Sequence, residues 1–173
     1  MRIEPSIYLP ALMRDVVLFG GRIVARSFET PRDLMALPEA VIVSAVRTPI
    51  GRAGKGSLMD VRPDDLLAFA IREAVGQAEG LDPNDIVDVM VGCGFPQEKQ
   101  GMNLARRAAL LAELPKRVPG TTVNRFCASS LQTTRMAFHA IKAGEGDVYV
   151  AAGVESISQV DGYPKDSEEL HPK

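Results

Sequence analysis

The chain has 173 residues, of which 46% are hydrophobic and 24% charged, a composition typical of one globular domain with a buried core. Its formal net charge is −2, and its Lys and Arg residues are spread along the sequence, which disfavours nucleic acid and a membrane surface as partners. No apolar run approaches the roughly 18 residues that a membrane-spanning helix needs.

Cysteines and histidines are few. Cys93 and Cys127 show no CxxC spacing, and no secretory signal precedes them, so we expect free thiols in a reducing cytoplasm rather than a disulfide framework. Neither His139 nor His171 stands at metal-ligand spacing from another His, a Cys or a cluster of carboxylates. We therefore expect no metal site.

The first 37 residues differ from the rest of the chain. They mix five Arg with four acidic residues and scattered prolines, and they show no sustained hydrophobic period. A mitochondrial transit peptide would contain fewer acids, so we interpret residues 1–37 as a flexible extension outside the folded domain. Residues 38–156 are then the domain, and residues 157–173 begin the loop region that follows it.

Regular elements begin at Ala40. Residues 40–46 are apolar and β-branched and end at a Thr-Pro turn, which predicts a buried strand. A helix is predicted after Pro63, because apolar residues then recur with helical spacing behind an acidic first turn. Residues 86–91 predict a second buried strand.

The second half of the domain repeats this alternation. A helix is predicted with Leu104, Ala108 and Leu111 on its apolar face, followed by a short strand at residues 121–124. Residues 128–143 predict a helix closed by Gly144, and residues 148–154 a last strand. The order βαβαβαβ predicts an α/β fold, with a mostly parallel sheet covered by helices on both faces.

Cys127 lies at the predicted junction between the third strand and the third helix. Free backbone N–H groups and the positive end of the helix dipole stabilise a thiolate at such a place. The same amides can donate to an oxyanion that forms on a thioester carbonyl. The pattern therefore favours a nucleophile that forms a covalent acyl-enzyme, although a small buried cysteine would give the same local sequence.

Four segments carry a resemblance to a known family. They are PEAVIVSAVRTPIG at residues 38–51, GMNLAR at residues 101–106, VNRFCASSLQ at residues 123–132 and GVES at residues 153–156. In this order and spacing, with the third enclosing Cys127, they resemble the amino-terminal half of a thiolase.

The resemblance implies a thiolase-like fold and acyl transfer between coenzyme A thioesters, with Cys127 as the catalytic residue. The reaction would be that of an acetyl-CoA acetyltransferase or of a 3-ketoacyl-CoA thiolase. It implies acyl-CoA and coenzyme A as substrates, no permanently bound cofactor, and a homo-oligomer for the complete protein. It assigns no coenzyme-binding residue within this chain. The family's base histidine and second cysteine follow the point where this sequence ends, so we expect the isolated chain to be inactive.

Three other reactive side chains receive no role. Cys93 lies in a Gly-flanked turn outside the nucleophile segment, where a structural role is favoured. His139 is 12 helical positions from Cys127, about 18 Å along the axis, and falls on the polar stripe of its helix. His171 lacks the glycine-rich surroundings of the family's His-Pro motif.

Alternative functions remain open from the sequence. The chain could be a non-catalytic remnant or binding module with the thiolase fold, or a relative of the β-ketoacyl synthases. A thiol-based redox protein is a further alternative, but such proteins usually need a resolving cysteine near the first, and Cys93 is 34 positions upstream of Cys127.

Overall fold

The computed structural model describes residues 15–21 and 40–160. In chain order, its main elements are β1 (Asp15–Gly21), β2 (Ala40–Arg47), α1 (Pro63–Gln77), β3 (Ile86–Gly92), α2 (Leu104–Leu111), β4 (Gly120–Val123), α3 (Ser129–Ala143) and β5 (Val148–Gly153). Short 3₁₀ helices lie at Pro83–Asp85, Glu98–Gln100, Phe126–Ala128 and Ile157–Gln159. From Ala40 onward, the predicted alternation of strands and helices is confirmed.

The strands form one mixed sheet in the order β2-β1-β5-β3-β4. β3 pairs in parallel with both β4 and β5, whereas β1 is antiparallel to both β2 and β5. β2, β3, β4 and β5 therefore run in one direction and β1 runs against them. The predicted mostly parallel α/β sheet is confirmed.

β1 corrects one expectation. Residues 1–37 were expected to form a flexible extension, yet Asp15–Gly21 lies inside the sheet and pairs with β2 over its whole length. The segment has only four consecutive apolar residues, at positions 16–19. Such a short run forms a strand when strands on both sides supply backbone partners. Residues 1–14 and 22–39, on which the rest of that expectation falls, lie outside the described residues.

Helices cover both faces of the sheet, as predicted. α1 and α2 pack on one face against Val89 and Val91 of β3 and against Val150 of β5. α3 packs on the other face against Met90 and Tyr149. This division follows the alternation of side chains along a strand, because successive residues of β3 and of β5 point to opposite helical layers.

α2 is rotated relative to the prediction. Its buried residues are Leu104, Ala105, Ala108 and Ala109, whereas Leu111 is 43% exposed. At about 100° per residue, Leu111 lies roughly 90° from the centre of the buried stripe. Small alanine side chains therefore form the contact that the prediction had assigned to a leucine.

The first turn of α1 is anchored to α2 through the buried carboxylate of Asp64. Arg62 donates two hydrogen bonds to this carboxylate, at 3.0 and 2.8 Å, and Arg107 of α2 donates another. Burial on its own raises the pKa of Asp64, but the hydrogen bonds and charges of the two arginines outweigh burial and lower the pKa to about 2.

We expect Asp64→Asn to destabilise the folded chain by about 2 kcal/mol at neutral pH, because the folded state holds the Asp64 carboxylate more favourably than the unfolded state does. This contribution is complete above the unfolded pKa of 3.8 and is lost as the pH falls toward about 2. Urea unfolding at steps from pH 7 to pH 2 measures it. The neighbouring exposed residue provides the control: Asp65→Asn should change stability by less than about 0.5 kcal/mol, and an equal loss in both variants would contradict the assignment.

Candidate active site

Cys127 lies in the single 3₁₀ turn Phe126–Ala128, which leads directly into α3. β4 ends four residues before it, at Val123. The predicted position at a strand-to-helix junction is therefore confirmed. The Cys127 thiol is free and the residue is exposed, so reagents in solution can reach it.

Side chains on both sides of Cys127 hold this turn. The Asn124 side-chain oxygen accepts a hydrogen bond from the Phe126 N–H at 2.9 Å. The Ser129 hydroxyl accepts from the Arg125 N–H at 2.8 Å and donates to the Phe126 carbonyl at 2.6 Å. The turn is thus closed by its own polar side chains.

Phe126 has a φ of +47°, in the left-handed region that large side chains rarely adopt. Non-glycine residues are held in this region when the surroundings fix them, and they are frequent at active sites. In this chain the left-handed residue immediately precedes the candidate nucleophile. Cys127 is exposed, and α3 begins two residues after it, at Ser129.

Two glycines let the start of α3 approach the ends of β3 and β5. A Cβ atom on Gly92 would lie 2.4 Å from the backbone of Ser129 and Ser130, and one on Gly153 would lie 1.8 Å from the Ser130 hydroxyl oxygen. Thr133 adds a hydrogen bond from its hydroxyl to the Ala152 carbonyl, at 3.2 Å. Sequence analysis missed the role of both glycines, although each stands at the carboxyl end of a strand.

Gly92→Ala should destabilise the fold by about 2 kcal/mol or more, because the added methyl group meets backbone that cannot rotate away. Gly76 provides a matched control, since it lies in α1 and nothing stands within 4 Å of a Cβ built on it. Gly76→Ala should stabilise the chain by about 0.5–1 kcal/mol through helix propensity. Thermal unfolding of the two variants measures the difference. Equal changes in the midpoint temperature would show that the backbone around Gly92 can accommodate a methyl group.

A second cysteine lies close to this turn in different surroundings. Cys93 is 1% exposed, and its sulfur lies 3.7 Å from the Glu155 carboxylate. Burial, together with the neighbouring negative charge of Glu155, raises the pKa of the Cys93 thiol to about 12. The thiolate of Cys93 is therefore scarce at neutral pH, in agreement with the structural role proposed for it.

Iodoacetamide at pH 8 should therefore alkylate the folded chain at Cys127 and not at Cys93, because alkylation needs both access and thiolate. Peptide mass spectrometry after a short exposure identifies the modified residue. Denaturation in urea should make both cysteines react, which is the positive control. Modification of Cys93 in the folded chain at a rate similar to that of Cys127 would contradict the described burial.

His139 lies on the exposed side of α3 and contacts the ring of Phe138 edge to face, with centroids 5.4 Å apart. This confirms the interpretation of a partly solvated surface histidine. His171 lies outside the described residues. Within residues 15–21 and 40–160, no group of three His, Cys, Asp or Glu side chains could hold a metal ion, and no helix is long and apolar enough to cross a membrane.

The described part of the chain leaves apolar side chains exposed around Cys127. Phe126 is 57% exposed and Leu131 is 45% exposed. An open cleft nearby is lined by the loop after β2 and by residues 153–158, and Cys127 is not among its lining residues. The surface that carries the thiol is therefore not enclosed by the described residues.

Comparison with known proteins assigns the class. Residues 40–170 match the family model of the thiolase amino-terminal domain, so the chain belongs to the thiolase family. The match begins at the first residue of β2 and includes every described residue of the turn that carries Cys127. β1 lies outside it.

Individual relatives narrow the comparison. The chain is 49% identical over 124 residues to a 3-ketoacyl-CoA thiolase of Bacillus subtilis, covering 72% of this chain and 32% of that protein. It is 49% identical over 121 residues to the 3-oxoadipyl-CoA/3-oxo-5,6-dehydrosuberyl-CoA thiolase of Escherichia coli, covering 70% and 30%. It is 43% identical over 124 residues to a 3-ketoacyl-CoA thiolase of Aeromonas hydrophila, covering 72% and 32%. The chain spans about a third of the length of these relatives.

Proposed function

We propose that Cys127 is the nucleophile of an acyltransferase that acts on coenzyme A thioesters. One observation carries the proposal: within a thiolase domain, an exposed thiol stands in the turn that opens a 15-residue helix. The amino end of a helix favours negative charge through its free N–H groups and its dipole. A thiolate and a thioester oxyanion both gain from that environment.

Transfer of an acyl group from acyl-CoA to Cys127 is a thioester exchange. The Cys127 thiolate attacks the carbonyl carbon of the acyl-CoA, and a new carbon–sulfur bond forms while the carbonyl oxygen takes up negative charge. When the carbonyl re-forms, the carbon–sulfur bond to coenzyme A breaks and coenzyme A leaves as a thiolate that takes up a proton. The Cys127 N–H has no hydrogen-bond partner within the described part of the chain and is our candidate donor to the oxyanion.

The relatives suggest the substrates. Two of the three are 3-ketoacyl-CoA thiolases and the third acts on 3-oxoadipyl-CoA and 3-oxo-5,6-dehydrosuberyl-CoA, so we infer a 3-ketoacyl thioester as the substrate class and coenzyme A as the acceptor of its acyl group. In this thiolysis the Cys127 thiolate attacks the 3-keto carbon, the bond between C2 and C3 breaks, and C2 takes up a proton so that the two-carbon unit leaves as acetyl-CoA. Coenzyme A then attacks the acyl-enzyme, the carbon–sulfur bond to Cys127 breaks, and the acyl group leaves as a new coenzyme A thioester.

We infer a cytoplasmic location, because both thiols are free and one is exposed. An oxidising compartment would oxidise the exposed thiol. The exposed apolar side chains at Phe126 and Leu131 support further protein surface covering this region, including a homo-oligomer of the complete protein.

The isolated 173-residue chain should accept an acyl group poorly and should not turn over. The one histidine among the described residues, His139, is exposed on α3, 12 positions from Cys127 and about 18 Å away along the helix axis. A missing general base typically costs about 10² to 10⁴ in rate. Because the relatives are about three times as long as the aligned region, we propose that the remaining catalytic groups lie in sequence that this chain does not contain.

Acyl transfer is tested by intact-protein mass spectrometry after incubation with acetyl-CoA. We expect one acetyl group on Cys127, slow to form, absent in Cys127→Ala and unchanged in the matched variant Cys93→Ala. A non-catalytic binding module would remain unmodified. A redox protein would also remain unmodified by acetyl-CoA, but with a small disulfide such as oxidised glutathione its thiolate would form a mixed disulfide and release one glutathione thiol.

Turnover is tested with acetoacetyl-CoA and coenzyme A as a thiolysis pair on the purified chain. We expect no cleavage above background in a sample that is folded by circular dichroism. Turnover near that of a full-length thiolase, abolished by Cys127→Ala, would contradict the proposed need for further residues while supporting the nucleophile.

A further inference from the structure

We propose that Glu155 is a positioning residue for Cys127: its carboxylate holds the loop at residues 93–100 against the turn that carries the nucleophile. The inference rests on the proposed role of Cys127 for its functional meaning. The contacts that carry it are independent of that role, because none of them involves the Cys127 side chain.

The Glu155 carboxylate uses both of its oxygens on one loop. Oε2 accepts a hydrogen bond from the Gly94 N–H at 2.6 Å, and Oε1 accepts one from the Gln100 side-chain amide at 2.7 Å. Glu155 follows β5 directly and is about 60 residues from both partners in sequence. The carboxylate therefore joins the loop after β3 to the segment after β5.

Gln100 completes the connection and is itself fully buried, at 0% exposure. Its amide nitrogen also donates to the Phe95 carbonyl at 2.8 Å, and its oxygen accepts from the Ser156 N–H at 2.6 Å. All the polar atoms of the Gln100 side chain thus have partners in the two segments. A buried polar network that is fully paired holds its members in one arrangement.

The loop held by Glu155 contacts the nucleophile turn directly. The Phe95 ring meets the Phe126 ring edge to face, with centroids 6.4 Å apart. A Cβ atom on Gly94 would lie 2.8 Å from Glu155 Oε2 and 3.4 Å from the Phe126 carbonyl oxygen. Phe126 is the residue with left-handed backbone conformation next to Cys127. The loop therefore packs against the residue of the turn whose φ is unfavourable.

A carboxylate is required here because two N–H donors face its two oxygens. A glutamine at position 155 would place its NH₂ group opposite one of those N–H donors. The hydrogen bond at that position would be lost, and two donors would face each other. Hydrogen bonds to a charged acceptor are also roughly twice as strong as neutral ones. Glu155→Gln therefore weakens the connection between the loop after β3 and the segment after β5, while it nearly preserves side-chain volume.

The primary test is hydrogen exchange in the full 173-residue chain. In Glu155→Gln, amide exchange at residues 124–130 should be about tenfold faster or more, whereas exchange in β2 should stay as in the wild type. Glu73→Gln makes the same chemical change at an exposed site of α1 and should alter neither region. Faster exchange everywhere, or no change at residues 124–130, would overturn the positioning role.

The second readout compares two reactions of Cys127. Acetylation by acetyl-CoA passes through an oxyanion and depends on the geometry of the turn, whereas alkylation by iodoacetamide does not pass through an oxyanion. We expect Glu155→Gln to lower the ratio of acetylation to alkylation rates about tenfold. Loss of fold would instead change the circular dichroism spectrum, which is a better control than Cys93 alkylation because Glu155→Gln also removes a negative charge that raises the pKa of the Cys93 thiol.

Glu155→Asp keeps the charge and both acceptor oxygens on a shorter side chain, so it should give values between those of the wild type and of Glu155→Gln. If Glu155→Gln does not fold, exchange at residues 124–130 in Glu155→Asp decides the question in the same way. A wild-type chain that is never acetylated would contradict the proposed function, and the exchange data would still decide the role of Glu155. A wild-type chain that is acetylated with the same ratio in every variant would overturn only the inference about Glu155.

Discussion

The close approach between the first residues of α3 and the ends of β3 and β5 is the constraint on which the rest of the site depends. Gly92 and Gly153 permit it, because any larger residue would collide with Ser129 or Ser130. The helix therefore begins directly above the carboxyl ends of two parallel strands. Open α/β sheets place ligands at this edge, and the same contact fixes where the turn with Cys127 can lie.

The two cysteines have the same side chain but differ in exposure and surroundings because of where they lie in the fold. Cys93 comes directly after β3, lies beneath the surface and faces the Glu155 carboxylate, and both effects hold its proton on the sulfur. Cys127 comes after β4, in a turn that keeps its side chain exposed. An exposed thiol and a buried one thus lie in neighbouring loops, and the Phe95–Phe126 contact joins those loops.

The described residues supply an exposed thiol at Cys127, our candidate nucleophile, in a turn that side-chain hydrogen bonds hold. The one histidine among them, His139, is 12 positions from Cys127. The surface around Cys127 keeps Phe126 and Leu131 exposed, and the neighbouring cleft does not include the thiol. Both features are expected of a domain whose exposed apolar surface is covered by further protein. The relatives, of which this chain spans about a third, are long enough to provide such a surface.

The sequence by itself determined the elements whose signals are local. The β-branched run at residues 40–46, the acidic first turn after Pro63 and the glycine that closes α3 each act on their own backbone, so period and capping rules located them. The position of Cys127 between β4 and α3 followed from the same rules. Tertiary structure alone decided the place of β1, because four apolar residues become a strand only where two neighbours offer hydrogen bonds. It also decided the pairing of Glu155 with Gly94 and the collision that excludes side chains at Gly92, since contacts between residues tens of positions apart depend on which surfaces the fold brings together.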